Sequence, residues 1–158
     1  MRLCYNSIGG KERQAHQKGE IMNNILFFLT PKALCVYIHD DCTVRQALEK
    51  MESAGYAALT ILSRDGEYRG TLTEGDLLWA LKNMCNMDIR QAESRRIMEI
   101  SRRMDNIPVQ VTTSMQDLIE RASQQNFVPV VDDKGAFIGI VTRKAIIKYC
   151  QQRLFPEE

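Results

Sequence analysis

The sequence repeats one pattern of apolar residues, glycines and threonines about 70 residues apart, and this duplication constrains the fold more than any other feature. The equivalent positions, written in pairs, are Val44 and Met115, Leu48 and Ile119, Gly66 and Gly135, Gly70 and Gly139, and Thr73 and Thr142. The spacing is 71 residues for the first two pairs and 69 for the others, so copy two lacks two residues at a helix-to-strand turn. Half of a 158-residue chain buries too little surface to fold alone, and we expect the copies to fold together.

Each copy predicts the order β-α-β-β-α, which places the chain in the α+β class. The predicted strands cover residues 33–38, 56–62, 68–73, 109–112, 127–131 and 137–142. The predicted helices cover residues 44–54, 76–84, 114–124 and 144–150, with a short linker helix at 88–97. In the first helix, Val44, Ala47, Leu48 and Met51 share one apolar face. We expect the apolar faces of the two units to close on each other about a pseudo-twofold axis and make one core.

These elements divide the chain into five segments. The predicted segments are a disordered tail at 1–21, motif 1 with a short N-terminal helix at 22–86, a linker at 87–106, motif 2 at 107–150 and a C-terminal tail at 151–158. The tail is polar and has no apolar period. Residues 18–20 can also be encoded by a purine run resembling a bacterial ribosome-binding site, so Met22 is an alternative start.

Composition excludes several classes of function. With 21 basic and 20 acidic residues the net charge is +1, which predicts no nucleic-acid partner, and no apolar run is long enough to cross a membrane. No C-x-x-C pair is present, and His39 beside Asp40 and Asp41 lacks a second histidine, so no metal site is predicted. Neither G-x-S-x-G nor H-E-x-x-H occurs, which favours a non-enzymatic protein without a cofactor. We expect it to be cytoplasmic.

Two matching strings resemble the CBS (cystathionine-β-synthase) domain pair, or Bateman module, over roughly residues 24–150. In copy two the strings are Phe127-Val-Pro-Val-Val-Asp-Asp-Lys-Gly135 and Phe137-Ile-Gly-Ile-Val-Thr142. In copy one they are Leu59-Thr-Ile-Leu62 and Gly70-Thr-Leu-Thr-Glu-Gly-Asp76. The chain is most similar to stand-alone bacterial CBS-pair proteins. This resemblance implies a regulatory module that binds an adenosine-containing small molecule between the copies.

The resemblance also implies which residues bind the ligand. In the family a Thr or Ser and an Asp three residues on hold a ribose, and Thr73 and Asp76 match this pattern. Pseudo-symmetry adds residues of copy two and the linker to this cleft, namely Ile107, Asn126 and Phe127, with Arg102 and Arg103 as candidates to meet phosphates or as solvated linker charges. The second cleft, with Thr142, Tyr56 and Ala57, has Ala145 in place of the ribose Asp. We therefore expect one nucleotide per chain, beside Asp76.

Two alternatives remain open. Thr73 and Asp76 also form an ordinary helix N-cap, and a CBS scaffold with filled clefts would act as a ligand-independent dimeric interaction protein. A homodimer is expected in either case, because the second helix of each copy has more apolar residues than one core needs. These residues are Leu77, Leu78, Trp79 and Leu81 in copy one, and Ile146, Ile147 and Tyr149 in copy two. The sequence does not choose among AMP, ADP, ATP, S-adenosylmethionine and a cyclic dinucleotide.

Overall fold

A computed structural model describes residues 24–84, 88–103 and 105–155. The strands in chain order are β1 (Thr30–Pro31), β2 (Tyr37–His39), β3 (Ala58–Leu62), β4 (Tyr68–Thr73), β5 (Val109–Gln110), β6 (Phe127–Val131) and β7 (Phe137–Thr142). The helices are α1 (Val44–Ala54), α2 (Glu74–Met84), α3 (Ile89–Glu93), α4 (Met115–Gln124) and α5 (Arg143–Leu154). The order β-α-β-β-α is confirmed twice. The predicted tail at 1–21 and the alternative start Met22 lie outside the described residues.

The structure corrects several predicted boundaries. Strands β4, β6 and β7 have the predicted bounds, whereas the first strand of copy one is confined to Tyr37–His39, because Lys32–Leu34 forms a 3-10 turn. The first strand of copy two is limited to two residues, because the N–H of Thr113 closes a turn onto the carbonyl oxygen of Gln110. The linker helix covers only Ile89–Glu93.

Helix α1 shows how the local sequence sets an element's ends. The Thr43 hydroxyl accepts a hydrogen bond from the N–H of Gln46, and the Gln46 side chain accepts one from the N–H of Thr43. Gly55 follows the helix with a φ of 68°, a left-handed conformation that glycine adopts without strain. These two signals place the helix between the first strand and β3, as the sequence predicts.

Each copy builds its own sheet. In copy one the strand order is β2-β3-β4, with β2 parallel to β3 and β4 antiparallel to it. Copy two repeats this with β5, β6 and β7, and gains β1 on the free edge of β7. Since β1 precedes copy one in sequence, the segment leading into copy one completes the sheet of copy two.

Most of the hydrophobic core falls into two clusters, one per copy, instead of the expected single core, while Leu62 and Phe137 are buried outside both clusters. Copy one packs α1 and α2 on its sheet through fully buried residues such as Ile61 and Leu72, and residues Ile97 and Ile100 of the linker join this cluster. The copy-two cluster includes Leu118 and also Ile25, which precedes copy one. Two separate clusters arise because each pair of helices covers only its own sheet. Leu48, predicted to face inward, is 36% exposed.

The copies meet at their hairpin turns through equivalent residues, as a pseudo-twofold axis requires. The N–H of Phe137 donates to the carbonyl oxygen of Gly66 at 2.9 Å, and the N–H of Tyr68 donates to that of Gly135 at 3.4 Å. The rings of Tyr68 and Phe137 stack with their centroids 6.4 Å apart. This reciprocal contact aligns the hairpins side by side and leaves a cleft on each side of the axis. Within the described residues, no helix is long and apolar enough to span a membrane.

Gly139 is the position at which β1 approaches β7 most closely. A Cβ on Gly139 would overlap the carbonyl oxygen of Thr30 and contact the Leu29 side chain, so Gly139→Ala is expected to lower the free energy of unfolding by about 1–3 kcal/mol. The control is Gly75→Ala, because a Cβ there meets only the Thr73 hydroxyl at 3.6 Å. Urea denaturation checks both variants, and equal stability of the two would contradict the close approach of β1.

Candidate functional site

An open cavity of about 300 Å³ lies in the cleft that contains Thr142. Copy one and the segment before it line the cavity with Thr30, Leu34, Cys35, Val36, Tyr56, Ala58 and Thr60. Copy two lines it with Asn126, Phe127, Ile140 and Thr142. The cavity therefore exists only when both copies are folded together. Its size and apolar walls with a few polar groups are typical of a small-molecule site.

Thr60 has a buried hydroxyl without a hydrogen-bond partner at the wall of this cavity. The residue lies in the middle of β3, is 3% exposed, and its Oγ1 has no partner among the described residues. A buried hydroxyl without a partner costs about 1–3 kcal/mol. The Oγ1 atom itself is almost inaccessible, so a ligand can bond to it only when neighbouring side chains of the wall shift.

The N-terminus of α5 reaches the same cavity through Thr142. The Thr142 hydroxyl accepts a hydrogen bond from the N–H of Ala145 at 3.2 Å and so caps the helix. The first turn contains Arg143 and Lys144 and no acidic residue. In contrast, the first turn of α2 contains Glu74 and Asp76. Because the positive end of a helix dipole attracts anions, α5 offers a more favourable place for a phosphate than α2.

Cys35 contributes a half-buried thiol to the cavity wall. Its Sγ donates to the carbonyl oxygen of Thr30 at 3.4 Å. Burial raises the pKa of this thiol, so that it stays protonated at neutral pH. The side chain acts there as a small apolar group. Among the described residues, no group of three His, Cys, Asp or Glu side chains could hold a metal ion.

Thr73 and Asp76 lie in the other cleft and bond to each other. The N–H and the hydroxyl of Thr73 donate to Asp76 Oδ2 at 3.0 and 2.7 Å, and the N–H of Asp76 donates to the Thr73 hydroxyl at 3.1 Å. These are the bonds of an N-cap on α2. Asp76 is only 2% exposed, and its Oδ1 accepts a hydrogen bond from the backbone N–H of Arg103 at 3.0 Å. Both of its oxygens are therefore occupied.

The linker fills the rest of this cleft. Asp105 Oδ1 accepts the N–H of Thr71 at 2.9 Å, on the edge of β4. The Asn106 side chain donates to the carbonyl oxygen of Phe127 at 2.9 Å, while the hydroxyl of Tyr68 donates to the carbonyl oxygen of Asn106 at 2.7 Å. Polar groups of both copies are thus bonded to the linker.

Gln125 holds the first strand of copy two against this filled cleft. Its side chain accepts the N–H of Ile107 at 2.7 Å and donates to the Ile107 carbonyl oxygen at 3.1 Å. The equivalent residue of copy one is Tyr56, which is 54% exposed and lines the open cavity with Val36. One cleft is therefore closed by side-chain hydrogen bonds, and its counterpart is open.

The structure distributes the predicted site residues over both clefts. Of the residues assigned to the Asp76 cleft, Asn126 and Phe127 line the open cavity beside Thr142, and the Phe127 carbonyl also bonds to the linker. Ile107 is 53% exposed. Of those assigned to the other cleft, Tyr56 and Thr142 line the cavity, whereas the Ala57 carbonyl oxygen accepts the N–H of Glu74.

The two predicted phosphate-binding arginines have other partners. The Arg102 guanidinium forms two hydrogen bonds with the Asp105 carboxylate, at 2.9 and 3.2 Å. That of Arg103 lies 4.4 Å from the ring centroid of Trp79. Thr60, Asp105 and Gln125 are not among the predicted site residues. The repeat could have pointed to Thr60 and Gln125, because the equivalent positions of the other copy hold chemically different residues, Pro129 and Tyr56.

Comparisons with known proteins agree with this architecture. A family model described as CBS domain matches residues 19–83 and 96–152. A structure of CbpB in complex with c-di-AMP has a TM-score of 0.76 at 18% identity and covers 92% of this chain and 95% of that one. A CBS domain protein from Streptococcus pneumoniae TIGR4 has a TM-score of 0.74 at 22% identity, covering 96% and 99%. CBSX2 in complex with AMP has a TM-score of 0.66 at 21% identity, covering 84% and 98%. No match was found among curated protein sequences.

Tyr68 is the residue whose hydroxyl ties the hairpin of copy one to the linker. Tyr68→Phe removes the bonds to Asn106 and Thr71 and is expected to lower the free energy of unfolding by about 1–2 kcal/mol. Tyr56→Phe is the control, because Tyr56 is more than half exposed. Chemical denaturation at neutral pH compares them, and an equal loss in both variants would contradict a specific role of the Tyr68 hydroxyl.

The same variant has an expected pH dependence. Burial raises the pKa of Tyr68 well above its usual value, so the folded state keeps a proton that the unfolded state loses above about pH 10. The advantage of the wild type over Tyr68→Phe is therefore fully present below that pH and shrinks as the pH rises above it. Denaturation curves between pH 8 and about pH 11 measure this difference; an advantage that grows with pH would contradict the raised pKa.

Proposed function

Because the chain belongs to the CBS domain family and contains two copies of the domain, we propose that it is a regulatory protein that senses an adenine nucleotide. Nucleotide occupancy is passed on through a change in conformation or assembly. The single observation that carries this proposal is the open cavity between the copies, with the unpartnered hydroxyl of Thr60 in its wall. Two of the matched structures, of CbpB and CBSX2, hold c-di-AMP and AMP.

The walls of the cavity suit a purine base. Val36, Ala58 and Ile140 offer apolar surface to the faces of a flat ring. Thr60 offers a hydroxyl that both donates and accepts, and Asn126 is an exposed amide at the cavity. The nitrogen atoms on the edge of an adenine need such partners, because groups that lose water on binding must be bonded again.

The start of α5 suits the phosphate of the same ligand. No acid in that turn opposes an anion, and Arg143 and Lys144 add positive charge to it, although neither lines the cavity and Arg143 Nε donates to the carbonyl oxygens of Ala122 and Gln125. The ribose finds Thr142 but not a carboxylate, because Ala145 stands where copy one has Asp76. We therefore expect affinity to depend more on the base and the phosphate than on the ribose. Binding beside Thr73 and Asp76 stays a prediction, and the clefts are distinguished below.

A ligand-independent scaffold is the second candidate function. The observation that favours it is the Asp76 cleft, in which protein groups satisfy both carboxylate oxygens. A thermal-shift screen with AMP, ADP, ATP, S-adenosylmethionine and c-di-AMP separates the two candidates. A rise in melting temperature with any of these supports the sensor, since a ligand that binds only the folded state stabilises it. No rise with any compound at millimolar concentration would favour the scaffold.

Thr60→Val tests the proposed cleft with two readouts of opposite sign. Valine keeps the shape of threonine and removes the unpartnered hydroxyl, so the ligand-free variant is expected to be more stable by about 1 kcal/mol. Loss of the hydrogen bond to the base is expected to weaken AMP binding about tenfold, which corresponds to about 1.4 kcal/mol. Urea denaturation measures the first effect, and isothermal titration calorimetry with AMP measures the second.

Asp76→Ala is the matched variant in the other cleft. If the nucleotide binds in the open cavity, Asp76→Ala leaves the AMP affinity within about twofold, although it costs stability through the lost N-cap. The opposite pattern, with Asp76→Ala weakening AMP and Thr60→Val leaving it unchanged, would place the nucleotide beside Asp76. In that case our assignment of the cleft would be wrong, while the proposed function would stand.

Exposed apolar residues on α2 and α5 support a homodimer. Of the residues predicted to exceed the needs of the core, Leu77, Ile146 and Tyr149 are buried in their own copies, and this part of the prediction is corrected. Leu78 and Ile147 are 57% and 50% exposed. Beside Ile147, at the end of α5, two further apolar side chains are exposed, namely Leu154 and Phe155. A second copy of this chain is the occupant we propose for this surface.

Ile147→Glu tests this assembly. A charge in the centre of an apolar interface loses its water without gaining a partner, so the variant is expected to be monomeric where the wild type is dimeric. Lys148→Glu is the control, because Lys148 is an exposed neighbour on the same helix with a charge already in place. Light scattering after size exclusion at micromolar concentration measures the mass. A monomeric wild type would refute the dimer, and a dimeric Ile147→Glu variant would exclude this surface.

A further inference from the structure

The linker occupies the cleft of Thr73 and Asp76 in the way a ligand would. Four residues, here called the linker cluster, make these contacts: Arg102, Arg103, Asp105 and Asn106. We propose that the linker cluster is an internal ligand, which closes this cleft to nucleotide and leaves the open cavity as the binding site of the chain. The nucleotide part of this inference rests on the proposed function, whereas the closure itself does not.

Asp76 is the first point of closure. Its carboxylate is almost completely buried, and each oxygen already has a donor within 3.0 Å, from Thr73 on one side and from the backbone of Arg103 on the other. A ribose hydroxyl would have to displace the Arg103 N–H to reach Oδ1. The displaced amide would then need water or another acceptor, which reduces the gain from the new bond.

Asp105 is the second point of closure. Its carboxylate accepts the N–H of Thr71 and lies against Gly70, where a Cβ would be 2.6 Å from Oδ1. Gly70 has a φ of 143°, so both its conformation and the close approach of the carboxylate require glycine. Arg102 neutralises the carboxylate with two hydrogen bonds, and the Arg102 side chain is itself only 14% exposed. The Asp105 side chain, which is 43% exposed, is thus paired on two sides.

Tethering and charge both favour the linker cluster over a nucleotide. A segment joined to the cleft by a short chain acts at an effective concentration in the millimolar range, so a competing free ligand must bind more tightly than the segment does. The carboxylates of Glu74 and Asp76 lie in the first turn of α2 and disfavour a phosphate there. No acid stands in the first turn of α5, at the open cavity.

Trp79 reports on the position of the linker cluster. The chain has one tryptophan, and the Arg103 guanidinium lies over its ring at 4.4 Å. Release of the linker would remove this cover and expose one face of the indole to solvent. Quenching of Trp79 fluorescence by acrylamide therefore measures closure without any nucleotide. Arg103→Ala gives the signal of a ring that keeps only the Lys82 ammonium, 5.0 Å from its centroid.

Asp105→Ala is the variant that opens the cleft. It removes the partner of the Thr71 N–H and of Arg102, so we expect Trp79 quenching to rise towards the value of Arg103→Ala. Asp105→Asn keeps an acceptor oxygen and loses the charge, so a smaller rise in quenching is expected. This variant carries the test if the alanine variant does not fold. Glu99→Ala is the control, because Glu99 is an exposed acid of the same linker that pairs with Arg95 instead.

Calorimetry with AMP completes the test. In the wild type we expect one binding event per chain that leaves Trp79 quenching unchanged, and in Asp105→Ala a second event. If both Asp105 variants show the same Trp79 quenching as the wild type, the closure is overturned. It is also overturned if AMP raises Trp79 quenching in the wild type. If no variant binds AMP, the titration is repeated with ADP, ATP, S-adenosylmethionine and c-di-AMP, and failure of all five overturns the proposed function. The quenching data decide in either case whether the linker closes the cleft.

Discussion

The segment that leads into each copy bonds to the outer edge of the hairpin of the other copy. Both clefts depend on this exchange. Strand β1 pairs with β7, with Thr30 opposite Ile140, before the chain enters copy one. Asp105 bonds to Thr71 on β4 before the chain enters copy two. Each cleft is therefore bounded by both copies, and neither copy alone contains a complete site. The hairpin turns are joined by the hydrogen bond from the N–H of Phe137 to the carbonyl oxygen of Gly66, and the outer edges of β4 and β7 lie on opposite sides of this contact.

A few substitutions between the copies make the two clefts unequal. Gln125 bonds both backbone groups of Ile107, whereas the equivalent Tyr56 lines the open cavity. In β3 Thr60 adds a hydroxyl to the cavity wall, and in β6 the equivalent residue is Pro129, which has no polar side chain. Duplication supplies one architecture twice, and single residues then decide whether a cleft is filled by the protein or stays open.

The sequence predicted the fold well because the fold depends on periodic features. The bounds of β7 follow from alternating buried residues, those of β4 and β6 from short runs of strand-forming residues next to turns, and the ends of α1 from Thr43 and Gly55. The first strand of each copy was predicted too long, since turns near Pro31 and Thr113 shorten them and no periodicity marks such turns. The prediction of a single core was wrong because an apolar face indicates that its residues are buried, but not which element they pack against.

The candidate site was harder to predict, because motif residues do not reveal which groups are already satisfied. Thr73 and Asp76 match the family pattern, yet the same two side chains make a complete N-cap and bond to Arg103. Thr142 lacks the acidic partner, yet it lies at an open cavity of about 300 Å³. Unmade hydrogen bonds in a buried wall carry a free-energy cost that a ligand removes, whereas bonds already made must first be broken. The match of Asp76 to the family pattern therefore indicates a ligand site less directly than the hydrogen-bond partners that the structure gives to each group.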